Sequence, residues 1–492
     1  MGRVLVFWAA SSLVLLCWFG AARPAPTGPK ADIVWPAAAA EQTQGAEKIA
    51  PQVSTAIAGL KPEEQITVIV TLTEQADLRT PPGLTRTERL QRVIRALQAQ
   101  AATSQRALRP LLEAHLALGR ISQVTYFWIF NGLAVTATPE VVLELAERPE
   151  VLSITANVTI PGPGHPAEQA QSTLAGNEPN LGVINAPALW ALGFRGQGAV
   201  VANMDTGVSL NHPDLVAQWR GGTNSWFDPH GEHPDTPTDF HRHGTWTMGV
   251  MVGRDASGVA IGVAPQAQWI AVKIFNDNNE ATTFAIHQGF QWLLDPDGNP
   301  ATPDAPQVVN NSWVIGTTPG CDLSFQPDVQ ALRAAGIASV FAAGNFGPNP
   351  STSASPANYP EAFAVGATDN GDGMYLYSSR GPSACGEAST TFPEIVAPGV
   401  NIRTAGLSGT YYDATGTSLA APHVAGALAL LWSAYPNLTV AEQEALLINS
   451  AVDRGPVGPD NDYGNGRLDV LAAYQSLSRF HVYLPIVVKA AP

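Results

Sequence analysis

The chain has 492 residues, 45% hydrophobic and 14% charged, with 45 Gly and 40 Pro. That length calls for two or three domains, and that balance suits a large core in a loop-rich fold rather than coiled coils. The formal net charge of −15 resides in residues 161–492, where 12 Lys and Arg face 28 Asp and Glu, which argues against nucleic acid as the main partner.

In chain order, one positive charge at Arg3 precedes an apolar run from Val4 to Gly20, closed by Ala21-Ala22 and a Pro-rich stretch. Residues 1–22 read as a secretory signal cleaved near Ala22. An uncleaved anchor is the alternative, because the run is nearly long enough to span a bilayer. No other stretch reads as apolar enough to span, so the membrane is expected only through this signal. Residues 23–60, rich in Ala, Pro and Gln, read as a linker.

Residues 61–160 carry the pattern of a small α+β domain. A β-branched, alternating run at Gln65–Leu72 predicts a strand. Helical spacing covers Leu84–Leu118, and strands are expected over Ile121–Thr138 with a turn at Phe127–Gly132. A short helix at Pro139–Glu147 (Thr138 as its cap) and a strand at Val151–Val158 complete the set. The order β-α-β-α-β places helices on an antiparallel sheet. Pro161-Gly162-Pro163-Gly164 then opens a linker over 161–183.

From 184 to 476 the texture changes. Strands apolar throughout are expected at Gly198–Asp205, Gln268–Ile274, Gln307–Asn311, Ile337–Ala343 and Ala362–Ala367. Helical runs such as Phe284–Leu294 and Gln326–Ala335 lie between them. This predicts an α/β fold with a parallel sheet covered on both faces, its site at the carboxyl ends of the strands. Residues 477–492 form a tail whose apolar stretch is too short to span. Of the three cysteines, Cys17 lies in the signal, and Cys321 and Cys385 remain as a possible disulfide.

Four polar residues stand where elements end. Asp205 closes a strand before a glycine turn, His243 opens a helix, Asn345 follows a strand, and Ser418 opens the apolar run that reaches Leu431. Together they supply the parts of acyl transfer: a hydroxyl, a base titrating near neutral pH, a carboxylate to orient it, and an amide to meet an oxyanion. Each has a plainer reading. Ser418 serves equally as an N-cap, Asp205 and Asn345 as turn residues, and His243 with His241 and Asp239 as a metal cluster. His423 and Trp313 read as packing residues.

Asp205-Thr206-Gly207, His243-Gly244-Thr245, Ala342-Ala343-Gly344-Asn345 and Gly416-Thr417-Ser418-Leu419-Ala420-Ala421-Pro422-His423 resemble, in order and spacing, the motifs of subtilisin-like serine proteases (subtilases). His212-Pro213-Asp214-Leu215, Gly262-Val263-Ala264-Pro265, Ser379-Arg380-Gly381-Pro382 and Ala397-Pro398-Gly399 support the resemblance, which covers about 184–475. Residues 65–158, with Trp128-Ile129-Phe130-Asn131-Gly132, are similar to the family's inhibitory prodomain. The resemblance implies a three-layer fold with a central, mostly parallel sheet, behind a small α+β prodomain. It implies a secreted, extracellular endopeptidase made as a zymogen, acting on protein or peptide substrates and inhibited by its own prodomain.

In that reading Ser418 is the nucleophile, His243 the base and then acid, and Asp205 its orienting carboxylate. Asn345 and the Ser418 N–H form the oxyanion hole. Ser312, Trp313, Val314, Ala342 and Gly344 line the substrate groove. No cofactor is required for the chemistry, and Asp214 falls where the family places a calcium ligand. Three departures stand out: Leu419 where Met is usual, Trp313-Val314 in place of a small, glycine-containing segment, and the insertion Asp295-Pro296-Asp297-Gly298-Asn299-Pro300. That insertion reads as a solvated loop or a cation loop.

Overall fold

The structure, a computed structural model, describes residues 45–164, 169–170, 178–256, 258–386 and 390–481. The signal reading at 1–22 and the last residues of the tail lie outside them. The first body contains α1 (Pro51–Gly59), β1 (Ile66–Leu72), α2 (Arg86–Ser104), α3 (Arg109–Ala117), β2 (Ile121–Phe127), β3 (Gly132–Ala137), α4 (Pro139–Glu147) and β4 (Val151–Ala156). Its strands pair antiparallel in the order β2-β3-β1-β4. The long helix expected at 84–118 is two helices, parted by a 3-10 turn at Gln105–Ala107, with Pro110 in the first turn of α3. Thr85 and Glu88 close a capping box at the start of α2.

Period-two alternation assigns the faces of this sheet. Val68, Val70 and Leu72 join Val53, Leu112, Val141 and Leu145 in one core. Ile69, between them, belongs to a second core shared with the larger body, which also holds Phe127, Phe130, Leu90 and Ile94. Helix α1 falls inside the stretch read as a linker, so the linker reading of 23–60 is corrected for residues 46–59. Ile49 and Val53 are buried against the α+β body, and the Ala50 N–H donates to the Ile154 carbonyl at 2.9 Å. Two anchors in fourteen residues are too few to show helical periodicity.

Residues 161–183 also contain structure. Strand β5 (Thr159–Pro161) runs into them, β6 (Gln169–Ala170) lies within them, and α5 (Pro179–Val183) ends them. Then follow α6 (Ala186–Ala191), β7 (Val200–Asp205), β8 (Trp226–Phe227), α7 (His243–Val252), β9 (Gln268–Lys273), β10 (Glu280–Thr282), α8 (Thr283–Leu294), β11 (Val308–Asn311), α9 (Gln326–Ala335), β12 (Ala338–Ala342), β13 (Phe363–Thr368), β14 (Ile395–Pro398), β15 (Ile402–Ala405), β16 (Tyr411–Ala414), α10 (Thr417–Ala434), α11 (Val440–Asn449) and α12 (Val470–His481). Helix α12 runs five residues into the expected tail.

Seven strands form one parallel sheet in the order β14-β13-β12-β11-β7-β9-β8. Val201, Val340 and Val365 belong to the core of α7 and α10, while Ala202, Met204, Val309 and Phe341 belong to that of α8 and α9. Both faces being covered is why these strands read as apolar throughout. The chain leaves β9 on one side of β7 and re-enters at β11 on the other. The carboxyl ends of β7 and β11 therefore flank a switch point, the usual place for a site. Cys321 and Cys385 form a disulfide, Cα atoms 5.1 Å apart, joining the segments that follow β11 and β13.

Helix α10 is long and apolar enough by composition to cross a membrane, contrary to the sequence reading, yet Thr417 to Leu431 are all buried within the protein. At its centre His423 is fully buried, with Nδ1 2.7 Å from the Leu419 carbonyl and Nε2 2.8 Å from Asn180 Nδ2. Nδ1–H donating and Nε2 accepting satisfies both with a neutral ring. Burial pushes its pKa down from 6.5 to about 4, the Leu419 carbonyl opposing. Below pH 6.5 the unfolded chain takes up a proton that the folded chain refuses until about pH 4. This contribution is complete above pH 6.5 and falls by about 3 kcal/mol on the way to pH 4. His423→Gln should flatten the urea-unfolding stability over that window by about this amount relative to the parent.

Candidate active site

Asp205 is the last residue of β7 and His243 the first of α7. Two glycines let them meet. A Cβ on Gly244 would lie 2.1 Å from the Gly207 carbonyl oxygen, and one on Gly207, whose φ is +108°, 1.9 Å from that of Thr238. Both contacts are with backbone, so no side chain fits, and Gly207 has a backbone conformation that favours glycine. Across this contact His243 Nδ1 donates to Asp205 Oδ1 at 2.8 Å, with Oδ2 at 3.0 Å. Asp205 is fully buried and its Oδ1 also accepts the Thr206 N–H at 2.7 Å. With Nδ1 donating, Nε2 becomes the basic nitrogen of the neutral ring. It has no hydrogen-bond partner among the described residues.

Ser418 lies in the first turn of α10, where backbone N–H groups have no carbonyl within the helix to bond. Proline at 422 removes the N–H that would bond the Ser418 carbonyl. Ser312 Oγ donates to that carbonyl instead, at 3.0 Å, and Ser418 Oγ donates to the Ser312 carbonyl at 3.4 Å. The hydroxyl is thus held at the edge of the groove without a bond to His243, a bond that in such sites tightens on substrate binding.

Asn345 follows β12. Its Oδ1 accepts from both the backbone N–H and the hydroxyl of Thr417, each at 3.0 Å. Thr417 Oγ1 accepts the Gly344 N–H at 3.2 Å. A backbone N–H can bond only the oxygen of the amide, so Nδ2 is the donor left for the exposed side. Asn345, Ser418, Ser312, Trp313, Val314, Ala342 and Gly344 all line one groove of about 480 Å³. Trp313 forms part of its lining while remaining buried, its indole N–H bonded to the Met204 carbonyl at 2.9 Å and its ring edge-on to Phe325 and Phe341. Pro161 to Gly164 line the same groove, for β5 pairs antiparallel with β10 and the Gly162 N–H bonds the Asn279 carbonyl at 2.7 Å.

Two residues read as metal ligands have hydrogen-bond partners within the protein. Asp214 is fully buried, and its oxygens accept from the Ala256 N–H at 2.6 Å and the Tyr411 hydroxyl at 2.7 Å. It joins no group of three acidic, His or Cys side chains among the described residues. Asp239 is equally committed. Its Oδ1 accepts from Thr206 Oγ1 and the His241 and Arg242 N–H groups, and its Oδ2 from the Thr245 N–H and hydroxyl. It anchors the start of α7 instead of holding a metal with His241 and His243.

Residues 196–466 match the model described as the Subtilase family. The chain belongs to the subtilase family. It is a serine-type endopeptidase of the subtilisin kind. This subtilase is 38% identical over 416 residues to Bacillopeptidase F of Bacillus subtilis (strain 168), covering 78% of the chain but 28% of that protein. It is 34% identical over 295 residues to Subtilisin DY of Bacillus licheniformis, covering 60% of the chain and 97% of the relative. Subtilisin E of Bacillus subtilis (strain 168) is 33% identical over 352 residues, 71% of the chain and 82% of the relative.

Sequence reasoning passed over a line of buried amides in this subtilase. Asn203, two residues before Asp205, donates from Nδ2 to the Gly244 carbonyl at 3.0 Å and to Thr247 Oγ1 at 2.9 Å. Its Oδ1 accepts from Asn310 Nδ2 at 3.0 Å, and Asn310 Nδ2 also reaches Ser312 Oγ at 3.0 Å. Ser312 then holds the Ser418 carbonyl. One polar residue inside the apolar run Val200–Met204 was the available signal. Asn203→Ala strands buried polar atoms on both neighbours and should cost about 1–3 kcal/mol in urea unfolding. Combined with Asn310→Ala it should cost clearly less than the two changes added, as a shared network requires.

Proposed function

We propose that this subtilase is a secreted peptidase made as a precursor whose own chain fills the groove. The observation that carries the reading is the 2.8 Å Asp205–His243 bond, at the end of β7 and the start of α7, together with a groove lined by Ser418 and Asn345. Ser418 Oγ attacks the carbonyl carbon of the scissile peptide bond while His243 Nε2 takes its proton. Asp205 keeps Nδ1 protonated and stabilises the imidazolium. Negative charge develops on the peptide oxygen, where Asn345 Nδ2 and the Ser418 N–H donate to it. The proton passes from Nε2 to the leaving amine. Water then attacks the acyl carbonyl as His243 Nε2 takes its proton, and that proton passes to Ser418 Oγ as the ester C–O bond breaks, releasing the carboxylate product and the free serine.

Residues 61–160 act as the inhibitory prodomain. Support comes from the segment that leaves them, which adds strand β5 to β10 and places Pro161–Gly164 beside Ser418. The processing cut belongs in 161–183. The apolar segment at 4–20 accounts for export, and the Cys321–Cys385 disulfide fits an oxidising compartment.

Asn345→Ala should lower kcat by about 10²–10³ with little change in KM, because the lost donor acts on the transition state. Ser418→Ala should abolish labelling by a serine-reactive fluorophosphonate and leave the precursor uncut. N-terminal sequencing of the parent's mature form should give a start within 161–183. A Ser418→Ala precursor that matures unaided in pure form would overturn self-processing.

A further inference from the structure

The insertion that follows α8 brings Asp295, Asp297 and Asp304 together. One carboxylate oxygen from each lies within 4.8 Å of the others. Their environment is unfavourable for charge alone. Asp295 is 7% exposed, and its Oδ1 is buried with no hydrogen-bond partner among the described residues. Asp304 Oδ1 is in the same state. Burial, with the Asp304 and Asp297 charges adding to it, pushes the Asp295 pKa up to about 6, and burial raises that of Asp304. An ionised carboxylate oxygen without a partner is costly to bury, and two beside a third carboxylate more so.

Protein donors meet only part of the demand. Asp297 accepts from the Asn299 N–H at 2.8 Å and Thr302 Oγ1 at 2.6 Å, and Asp304 Oδ2 from Asn224 Nδ2 at 2.9 Å. Arg220 is the neighbouring cation. It donates to the Asp304 carbonyl at 2.5 Å, to Ser225 Oγ at 2.9 Å and to the Asn224 carbonyl, so its N–H groups serve other acceptors.

We propose that Asp295, Asp297 and Asp304 form a calcium-binding site that fixes the loop between α8 and β11. The chemistry selects the ion. The ligands are oxygens only, without His or Cys, which favours a hard cation over zinc. Three carboxylates gathered in one loop suit calcium, which takes six to eight oxygens in a flexible geometry, whereas magnesium demands near-ideal octahedral geometry and is usually held by only one or two carboxylates. Aspartates at alternate positions, Asp295 and Asp297, followed by Gly298 with φ +72°, let a short turn aim successive carboxylates inward. The loop bears on the rest of the molecule because α2 rests on it. Gln91 Nε2 donates to the Ala301 carbonyl at 3.0 Å and Arg86 Nη2 to that of Ala305 at 3.1 Å. The site is independent of the protease chemistry.

The test uses the full chain carrying Ser418→Ala, which removes self-cleavage from the measurement. Terbium serves as the probe, excited through Trp292, whose carbonyl accepts the Asp295 N–H at 3.1 Å. The expected result is sensitised terbium emission that calcium displaces and magnesium displaces poorly, with a calcium-dependent rise in melting midpoint. Asp297→Asn and Asp304→Asn should each lose most of the emission and of the midpoint rise. Asp297 is exposed, and Asn keeps an oxygen for the Asn299 N–H and can turn its Nδ2 donor to Thr302 Oγ1, so that variant keeps its fold. The proposal is overturned if the parent shows neither effect, or if both variants match the parent in emission and midpoint shift.

Discussion

Pro422 leaves one carbonyl of the central helix without its N–H, and the arrangement of the site follows from where that carbonyl goes. It is the carbonyl of Ser418, and Ser312 takes it up. Ser312 is tied through Asn310 to Asn203, and Asn203 to the first turn of α7, which carries His243. A defect in one helix is thereby converted into a fixed distance between two helices that the sheet alone would not set. The intermediates sit on β11 and β7, neighbours in the sheet with Asn203 and Asn310 directly paired in register. A parallel ladder places these amides side by side at no further cost in loop entropy.

Buried amides in a parallel sheet are expensive unless each is bonded, and here almost every donor is. Asn203 has both ends in use, and Asn310 donates twice. Apolar residues would pack these strands as well. They would not tell α7 where to stop relative to α10. The glycine contact between Gly207 and Gly244 fixes the approach of Asp205 to His243, and the amide line fixes their height against Ser418. Neither device suffices alone, because one constrains a turn and the other a sheet position.

Much of this was legible in the sequence. The strands at 200–205, 268–273, 308–311, 338–342 and 363–368 follow the expected ranges, since burial on both faces leaves an apolar run that periodicity cannot miss. Asp205, His243, Asn345 and Ser418 stand at element ends, and ends are marked by glycine and by breaks in apolar texture. The misses have physical reasons. Strand β14 is four residues ending in proline, too short to separate from loop. Strand β8 has two residues and draws its pairing from β9. Helix α1 depends on Val53 and Ile49 alone. Asn203 and Asn310 were invisible as a pair because Asn203 bonds Gly244, Thr247 and Asn310, all dozens of residues away. The Ala256 and Tyr411 bonds of Asp214 were equally invisible, because neither partner lies in its own motif.

The contact between the α+β body and the sheet carries a last consequence. Phe130 packs against His287 with ring centroids 4.3 Å apart and planes tilted by 33°, and His287 Nδ1 lies 3.0 Å from a carboxylate oxygen of the fully buried Asp328. Ile69, Phe127 and Ile129 extend the same apolar surface, while Arg86 and Gln91 bond backbone carbonyls beside it. Apolar contact of this kind is held by burial and does not itself require a covalent link. If the segment at 161–183 is cut, the first body therefore does not leave for want of a tether. It leaves when the apolar contact is itself lost, by unfolding or by further cleavage of the first body. Strand β5 follows β4 on the amino side of such a cut, so it stays joined to the first body and keeps its pairing with β10. The groove and the face behind it would then be freed together, when the first body itself goes, and a peptide bond breaking near Ser418 only makes that departure possible.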